Sequence, residues 1–438
     1  MDRRVILLAL LISQVASVAN ILDFGAIPST NTNEAAEANT IALQKAFYAA
    51  NTSPTNDRIV LIPASHEFYI FSAEVFNVHD ITIQLDGLLV ISNNITAYPQ
   101  PSQFNHTLAG LYIGDSSNIH LTGYGKFDGQ GYDWWWHVIL LAKDHRPHMV
   151  LMERVEGIVI DNLYFSNSPQ YHLLLKDIKD VHVKNVTIYV DTESQKAMFQ
   201  KAGYWHEEKG VPTFPLNTDG IDPSGINVLI EDVSIENFDD AVAVKPCSGN
   251  CKLSTCTENI VVKNSLVTYG VGMTIGSVPP NPGVNCIKNV TFDNIVFKTP
   301  IKAIYVKTNP GTDGTGIIDN ITYKNIVGDG SLWYPIWIGP QQQEQPGTKG
   351  TGCSFFYPID DECPTQPRVP VTNIHLSNIT FTNGLELPGV LLCDPEKLCT
   401  GFTFDQVSNE GEFGIQKDYV CKNVKGTSTK SFPTPSCF

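Results

Sequence analysis

The chain has 438 residues, a formal net charge of −16, 42% hydrophobic residues and only 17% charged ones. That acidic balance argues against nucleic acid and anionic membranes as partners, and it means that an acidic substrate would need a local basic patch. The length suits two or three ordinary domains or one large repetitive one.

In chain order, the first nineteen residues, MDRRVILLALLISQVASVA, combine a basic start (Arg3, Arg4), a short apolar run and a small-residue end. They read as a secretory signal cleaved near Ala19, because the run is too short to span a bilayer. Residues 20–438 are then expected to be one extracellular domain, monomeric and not inserted in a membrane. Residues 40–50, TIALQKAFYAA, carry apolar residues at helical spacing and predict a short N-terminal capping helix. Trp134, Trp135 and Trp136 read as core packing.

Secretion would make the ten cysteines a disulfide set. Cys247, Cys251 and Cys256 lie close together, as do Cys353/Cys363, Cys393/Cys399 and Cys421/Cys437, though spacing leaves their connectivity open. No C-x-x-C pair accompanies them, and neither metal nor cofactor is expected. Glycosylation sequons occur at Asn51, Asn94, Asn105, Asn185, Asn289, Asn320 and Asn378, several of them inside a repeat where Asn has a structural use instead.

That repeat is the main architectural signal. Runs such as IVIDNLYFSN (158–167), VLIEDVSIEN (228–237), CIKNVTFDN (286–294), IIDNITYKN (317–325) and IHLSNITFTN (374–383) place Asn or Asp at 162, 232, 289, 320 and 378. A second Asn follows five residues later, at 167, 237, 294, 325 and 383. VHVKNVTIYV (181–190) and IVVKNSLVTYG (260–270) share the first half. Short β-branched units with no helical pattern between them predict an all-β chain, a right-handed parallel β-helix whose coils bury Ile, Val, Leu and Phe inward. A sandwich would need hairpin signals every 8 to 12 residues or so, and these are rare. The cysteine-rich stretch 390–438 would close the C-terminal end.

Within this rod, N-T-D-G-I-D (217–222) and N-F-D-D (237–240) stand out. An Asp beside Gly ordinarily marks a turn, yet carboxylates in apolar surroundings are costly unless paired or used. The twenty residues from Asp219 to Asp239 make roughly one coil, so their carboxyls should lie ~5 to 10 Å apart. GVGMTIGS (270–277) and AIYVKT (303–308) fall at equivalent places on later coils. Crowded carboxyls split into a protonated acid and an ionised base, the equipment of glycosidic bond hydrolysis. Asp239 and Asp240 can share a cleft only if the strand bends between them.

These motifs resemble those of glycoside hydrolase family 28, the polygalacturonase-like pectinases, over nearly all of the mature chain. DFGA (23–26), GKFDGQGYDWW (125–135), NSPQYHLLL (167–175), NTDG (217–220) and the Asp239-Asp240 pair follow the family's order. The resemblance implies a pectic polysaccharide substrate and inversion, with Asp239 as general acid and Asp219 and Asp240 activating water. It also implies that Lys307 engages a substrate carboxylate, with Asn217, Gly270, Val271, Gly272 and Tyr305 around it. Lys245 and His172 are further candidates beside the carboxylates, and Trp333, Tyr334 and Trp337 for a loop at the cleft.

Two departures matter. The family's G-H-G reads Gly270-Val271-Gly272, and its R-I-K reads Tyr305-Val306-Lys307. Losing that arginine removes a carboxylate clamp worth ~1.5 to 3 kcal/mol, and a tyrosine could offer a sugar a stacking face instead. These changes favour rhamnogalacturonan or a substituted galacturonan over plain galacturonan. They equally keep open a weakened polygalacturonase, or a non-catalytic polysaccharide-binding rod. A β-helix lyase fits less well, since no calcium loop or basic catalytic residue stands out.

Overall fold

The computed structural model describes residues 18–54, 58–99, 108–141, 144–194, 215–247, 251–342, 351–414 and 417–438. Among them, 26 strands join into one continuous system whose strand pairs are all parallel. The chain winds as a right-handed parallel β-helix. Most of the expected leader lies outside the described residues. Val18–Asn20 forms the first strand, paired with Ile59–Leu61.

Registration between coils builds the core. Ile230, Val262, Phe292, Tyr323 and Leu376 pair in sequence from strand to strand and point inward, all buried. Phe292 and Tyr323 stack with centroids 4.7 Å apart, and the buried Tyr323 hydroxyl donates to the Met273 carbonyl at 3.0 Å. Stacking like on like lets each coil bury apolar surface against two neighbours, worth about 25 cal/mol per Å².

The helix that caps the N-terminal end runs Asn33–Asn51, beginning seven residues before the expected 40–50. Thr32 explains the earlier start, because its Oγ1 accepts from the Ala35 amide at 3.2 Å as a helix cap. Ala42, Leu43, Ala46 and Phe47 seal the first coil, while Asn39 ties the helix to the Ile27 amide and the Tyr69 carbonyl. A second helix, Gly131–Leu141, holds the buried Trp134 and Trp135. The cysteines pair as 247–251, 256–286, 353–363, 393–399 and 421–437, the last two closing the C-terminal coils. No described helix is long and apolar enough to cross a membrane.

The asparagine repeat is real, but its alignment needs correction. Asn162, Asn185, Asp232, Asn264, Asn294, Asn325 and Asn378 occupy one corner, where Asn185 donates to Asn162 and Asn378 to Asn325, both at 2.8 Å. Asn289 and Asn320 stand on a different corner with Asn227 and Asn259, and Asn320 donates to Asn289 at 2.8 Å. The five-residue spacing is the length of one strand between two corners. Both corners demand the left-handed region, which Asn and Asp adopt at least cost, so they look alike in sequence and the alignment slipped by one. Three sequon residues, Asn185, Asn320 and Asn378, use Nδ2 as the ladder donor.

Asn325, at φ 55°, donates to Asp293 at 2.7 Å and accepts from Asn378. Asn325→Gly should lose only these exposed hydrogen bonds, about 0.5–1.5 kcal/mol. Asn325→Ala should cost about 1 kcal/mol more, because alanine resists the left-handed region. Denaturant unfolding of the two variants measures this difference, and equal stabilities would contradict the corner assignment.

Candidate active site

The same registration assembles the site. Ile221 pairs with Val242, Val242 with Met273, Met273 with Ile304 and Ile304 with Ile336. Two residues earlier on each coil, one corner carries Asp219, Asp240, Val271, Lys302 and Tyr334. One residue later, the outward face carries Asp222, Ala243, Thr274, Tyr305 and Trp337. Lys245 and Lys307 follow the paired Val244 and Val306 on that same face.

Asp239 and Asp240 do share the cleft, because the chain bends at Phe238 and Asp239 before the strand Val242–Val244. The Asp240 amide donates to Asp239 Oδ1 at 2.9 Å, and the Asn217 amide donates to Asp239 Oδ2 at 3.0 Å. Asn217 itself sits at φ 60°, gripped by Arg146, whose Nη2 donates to Asn217 Oδ1 at 2.9 Å. Buried Asn237 stitches the two acidic turns together, donating to the carbonyls of Thr218 and Asp240 at 2.9 Å each.

One carboxyl oxygen from each of Asp219, Asp239 and Asp240 lies within 4.8 Å of the others, slightly closer than the expected spacing. Lys307 Nζ is 2.7 Å from Asp240 Oδ2, and Thr274 Oγ1 donates to Asp240 Oδ1 at 2.6 Å. Lys245 Nζ lies 3.8, 3.5 and 3.6 Å from carboxyl oxygens of Asp219, Asp222 and Asp240. These ammonium groups supply the cationic charge that a metal would bring to such a cluster. A second acidic group near Asp177 involves Cys247 and Cys251, which are spent on a disulfide.

Burial and crowding separate the protonation states. Burial drives Asp219 well above the ordinary carboxylate range, with Asp222 and Asp239 adding to it. Burial and then Asp240 raise Asp239. Burial also pushes Asp240 up, but Lys307 and Lys245 outweigh it and hold that carboxyl below its usual range. Two ammonium groups cannot neutralise three buried carboxylates and the half-buried Asp239, so this cluster keeps protons on some members while Asp240 stays ionised.

A cavity of about 520 Å³ opens over this cluster. Asn217, Asp219, Asp239, Asp240, Lys245, Val271, Tyr305 and Lys307 line it. Gly270, Gly272 and His172 do not. The glycines allow close packing behind the lining: at φ 61°, a Cβ on Gly270 would come within 2.7 Å of Asn237 Oδ1, and one on Gly272, at φ 91°, within 2.3 Å of the Ala303 carbonyl. His172 is fully buried behind Asp219, with Nδ1 2.9 Å from the Asp219 carbonyl and Nε2 accepting from the Ser168 amide at 3.3 Å. Burial lowers its pKa to about 4 despite the Asp219 contact, so it is a neutral brace.

Tyr305 differs from the expected sugar-stacking role. It is buried, its hydroxyl accepts from the Gln342 amide at 3.1 Å, and the ammonium groups of Lys302 and Lys307 lie 4.6 and 4.7 Å from its ring centroid. The aromatic wall is made instead by Trp333, stacked on Phe355 at 5.3 Å. Tyr334 and Trp337 pack beneath it as core. Asp222, Lys302, Gln342 and Phe355 were not singled out from sequence. For the first two, the coil register was the available signal: Asp222 aligns with Tyr305, and Lys302 with Asp240 and Val271. Residues 195–214 and 343–350, in the long gaps between coils, lie outside the described residues.

Comparison with known proteins agrees with this architecture. The model for "Glycosyl hydrolases family 28" matches residues 55–432. A probable exopolygalacturonase B of Emericella nidulans is 26% identical over 79% of this chain and 73% of its own length. A polygalacturonase of Juniperus ashei is 23% identical over 97% of this chain and 74% of its own. Among solved structures, endo-xylogalacturonan hydrolase from Aspergillus tubingensis superposes with a TM-score of 0.69 at 20% identity, covering 93% of this chain and 98% of that one.

The cluster carries a stability signature. Asp222 is fully buried, neither carboxyl oxygen has a hydrogen-bond partner among the described residues, and burial raises its pKa to about 7 against the pull of Lys245. A raised folded pKa means that the folded state binds the proton more tightly, so stability is full below about pH 4 and is lost as pH rises through about 7. Asp222→Asn should remove that loss, raising unfolding free energy by about 1–3 kcal/mol at pH 8 and changing little at pH 4. Thermal or denaturant unfolding at the two pH values reads this directly.

Proposed function

The chain belongs to glycosyl hydrolase family 28, and we propose that it is a secreted enzyme that hydrolyses glycosidic bonds in pectic polysaccharide. The observation that carries this reading is the buried cluster in which Asp240 is held ionised while neighbouring carboxyls are driven to keep protons. Such a cluster offers an acid and a base within one cavity. The domain is read as 20–438, acting as a monomer.

In this mechanism Asp239 is the general acid. It is the most open of the four carboxyls, and two backbone amides fix its orientation. Its proton passes to the leaving glycosidic oxygen as the bond to the anomeric carbon breaks. Water attacks that carbon from the opposite side and gives its proton to Asp240, the carboxyl held ionised, while Asp219 orients the same water as the second activating group. Asp240 brings a lysine-held negative charge, and Asp219 Oδ1 has no hydrogen-bond partner among the described residues and can accept from water. The spacing rule alone does not yield inversion, since paired carboxyls of inverting enzymes stand about 6.5–9.5 Å apart. What supports inversion is the third carboxylate, which lets two groups share the water while the acid acts separately.

Substrate choice follows from the two departures. With Val271 and Tyr305 where the family carries histidine and arginine, the cavity is read as fitting a substituted galacturonan or rhamnogalacturonan better than plain galacturonan. The relatives act on polygalacturonan by name, and the A. tubingensis structure on xylogalacturonan. Those same departures favour a second reading, a carbohydrate-binding rod without catalysis.

Asp239→Asn should lower kcat by about 10²–10⁴-fold on a pectin panel while leaving substrate binding intact. Reducing-sugar release measures the former and calorimetry the latter. Absence of any wild-type release would favour the binding rod. NMR of the first-formed product should show an inverted anomer, and retention would instead assign Asp219 as a nucleophile. Faster cleavage of unsubstituted homogalacturonan than of substituted or rhamnogalacturonan chains would overturn the substrate reading.

A further inference from the structure

Three lysines line the cavity, and two of them have carboxylate partners. Lys307 and Lys245 both reach Asp240. Lys302 is different. It is only 5% exposed, and its ammonium makes no ion pair among the described residues. It rests instead against the rings of Tyr305 and Trp337, at 4.6 and 5.7 Å from their centroids. A buried cation without a counter-charge is costly, and aromatic faces repay only part of that.

Two more unpartnered polar groups belong to residues lining the same cavity. Gln342 Oε1 and Trp333 Nε1 are buried with no hydrogen-bond partner among the described residues. An acceptor, a donor and a cation around an aromatic wall match the hydroxyls, carboxylate and flat face of an acidic sugar.

We propose that Lys302 is a specificity-determining residue that binds a uronic acid carboxylate of the substrate, taking over at the next corner the role that the tyrosine at 305 cannot fill. The backbone register makes this possible, since Lys302 stands two residues before Ile304, as Asp240 stands two residues before Val242. The carboxylate is held jointly with Lys307 across the Tyr305 ring, and the sugar leans on Trp333 and Phe355. The inference rests on the hydrolytic reading for its kinetics but not for its binding.

Burial and then Lys307 draw the Lys302 pKa down to about 7, opposed by Asp240 and Asp239. A lowered lysine pKa leaves the ammonium charged below that pH and neutral above it. Carboxylate affinity should therefore fall as pH rises past about 7. Lys307, Asp239, Asp240 and the Tyr305 hydroxyl face the same space, so the pH test compares variants that share all of them.

The experiment uses the full chain and a galacturonate-containing pectic oligosaccharide, as free acid and as methyl ester. Lys302→Met should raise KM for the free acid at least ~10-fold at pH 6, with kcat changed less than ~3-fold and little change on the ester. Lys302→Arg should restore the free-acid KM and keep it flat to pH 8, where the wild-type KM climbs. A matching loss on acid and ester, a fall in kcat alone, or an unchanged KM would overturn the assignment. Calorimetric Kd values for the same pair of ligands decide it independently. If they show the acid-specific loss in Lys302→Met while no variant hydrolyses anything, the Lys302 assignment stands and the hydrolytic reading falls.

Discussion

Parallel pairing at about 4.8 Å per rung is the constraint from which the rest follows. It converts distance along the chain into a fixed spacing across a face, so residues 219, 240, 271 and 302 become consecutive steps of one corner. No local motif could do this, because each coil contributes only one or two side chains to the cavity. The interior stack from Ile230 through Phe292 to Leu376 supplies the free energy, and the register that it enforces supplies the geometry. A slip of one residue would turn Lys307 inward and Val306 outward.

Such rigidity explains how four carboxyls can be kept together. In a flexible loop, like charges would separate and each would ionise. Here Asn237 clamps both acidic turns, the Asn217 and Asp240 amides hold Asp239, and Thr274 and Lys307 hold Asp240. Electrostatic cost is therefore expressed as shifted protonation rather than as movement. The stabilising interior and the charged surface are two faces of the same coil: Val242 and Val244 point into the core, while Lys245 faces the cavity.

Much of this was legible in the sequence, and the omissions have physical causes. Period and β-branched composition gave away the rod, because stacked coils repeat the same demand at the same place. The corners misled for the same reason: Asn289 and Asn294 meet an identical left-handed requirement, so nothing in their identity says which corner is which. The helix Gly131–Leu141 was not anticipated because its three tryptophans read only as apolar bulk. The acids at 219, 239 and 240 could be placed because a coil of about twenty residues separates them. Lys302 and Asp222 escaped because attention followed motifs, whereas their positions follow from register. His172 looked like a cleft residue because it adjoins one in sequence: Tyr171 lines the cavity, whereas the His172 ring turns to the Ser168 amide and the Asp219 carbonyl behind it.

A tyrosine in place of the family's arginine removes a cation from position 305. The register shows a different exchange. A guanidinium at 305 would fill the space beside Lys307 and repel a third cation, whereas a neutral ring there presents its negative face to both Lys302 and Lys307. The ring is also anchored through its hydroxyl, which accepts from the Gln342 amide. Positive charge is thus kept in the cavity but moved to a neighbouring corner and changed in kind, from a planar fork to a compact point charge that accepts a carboxylate in more than one orientation. A clamp of that sort gives up bidentate geometry and gains tolerance for what is attached to the acidic sugar. The Val271 side chain packs against the Tyr305 cluster, so the two departures from the family pattern act as one coupled change in the wall rather than as two separate losses.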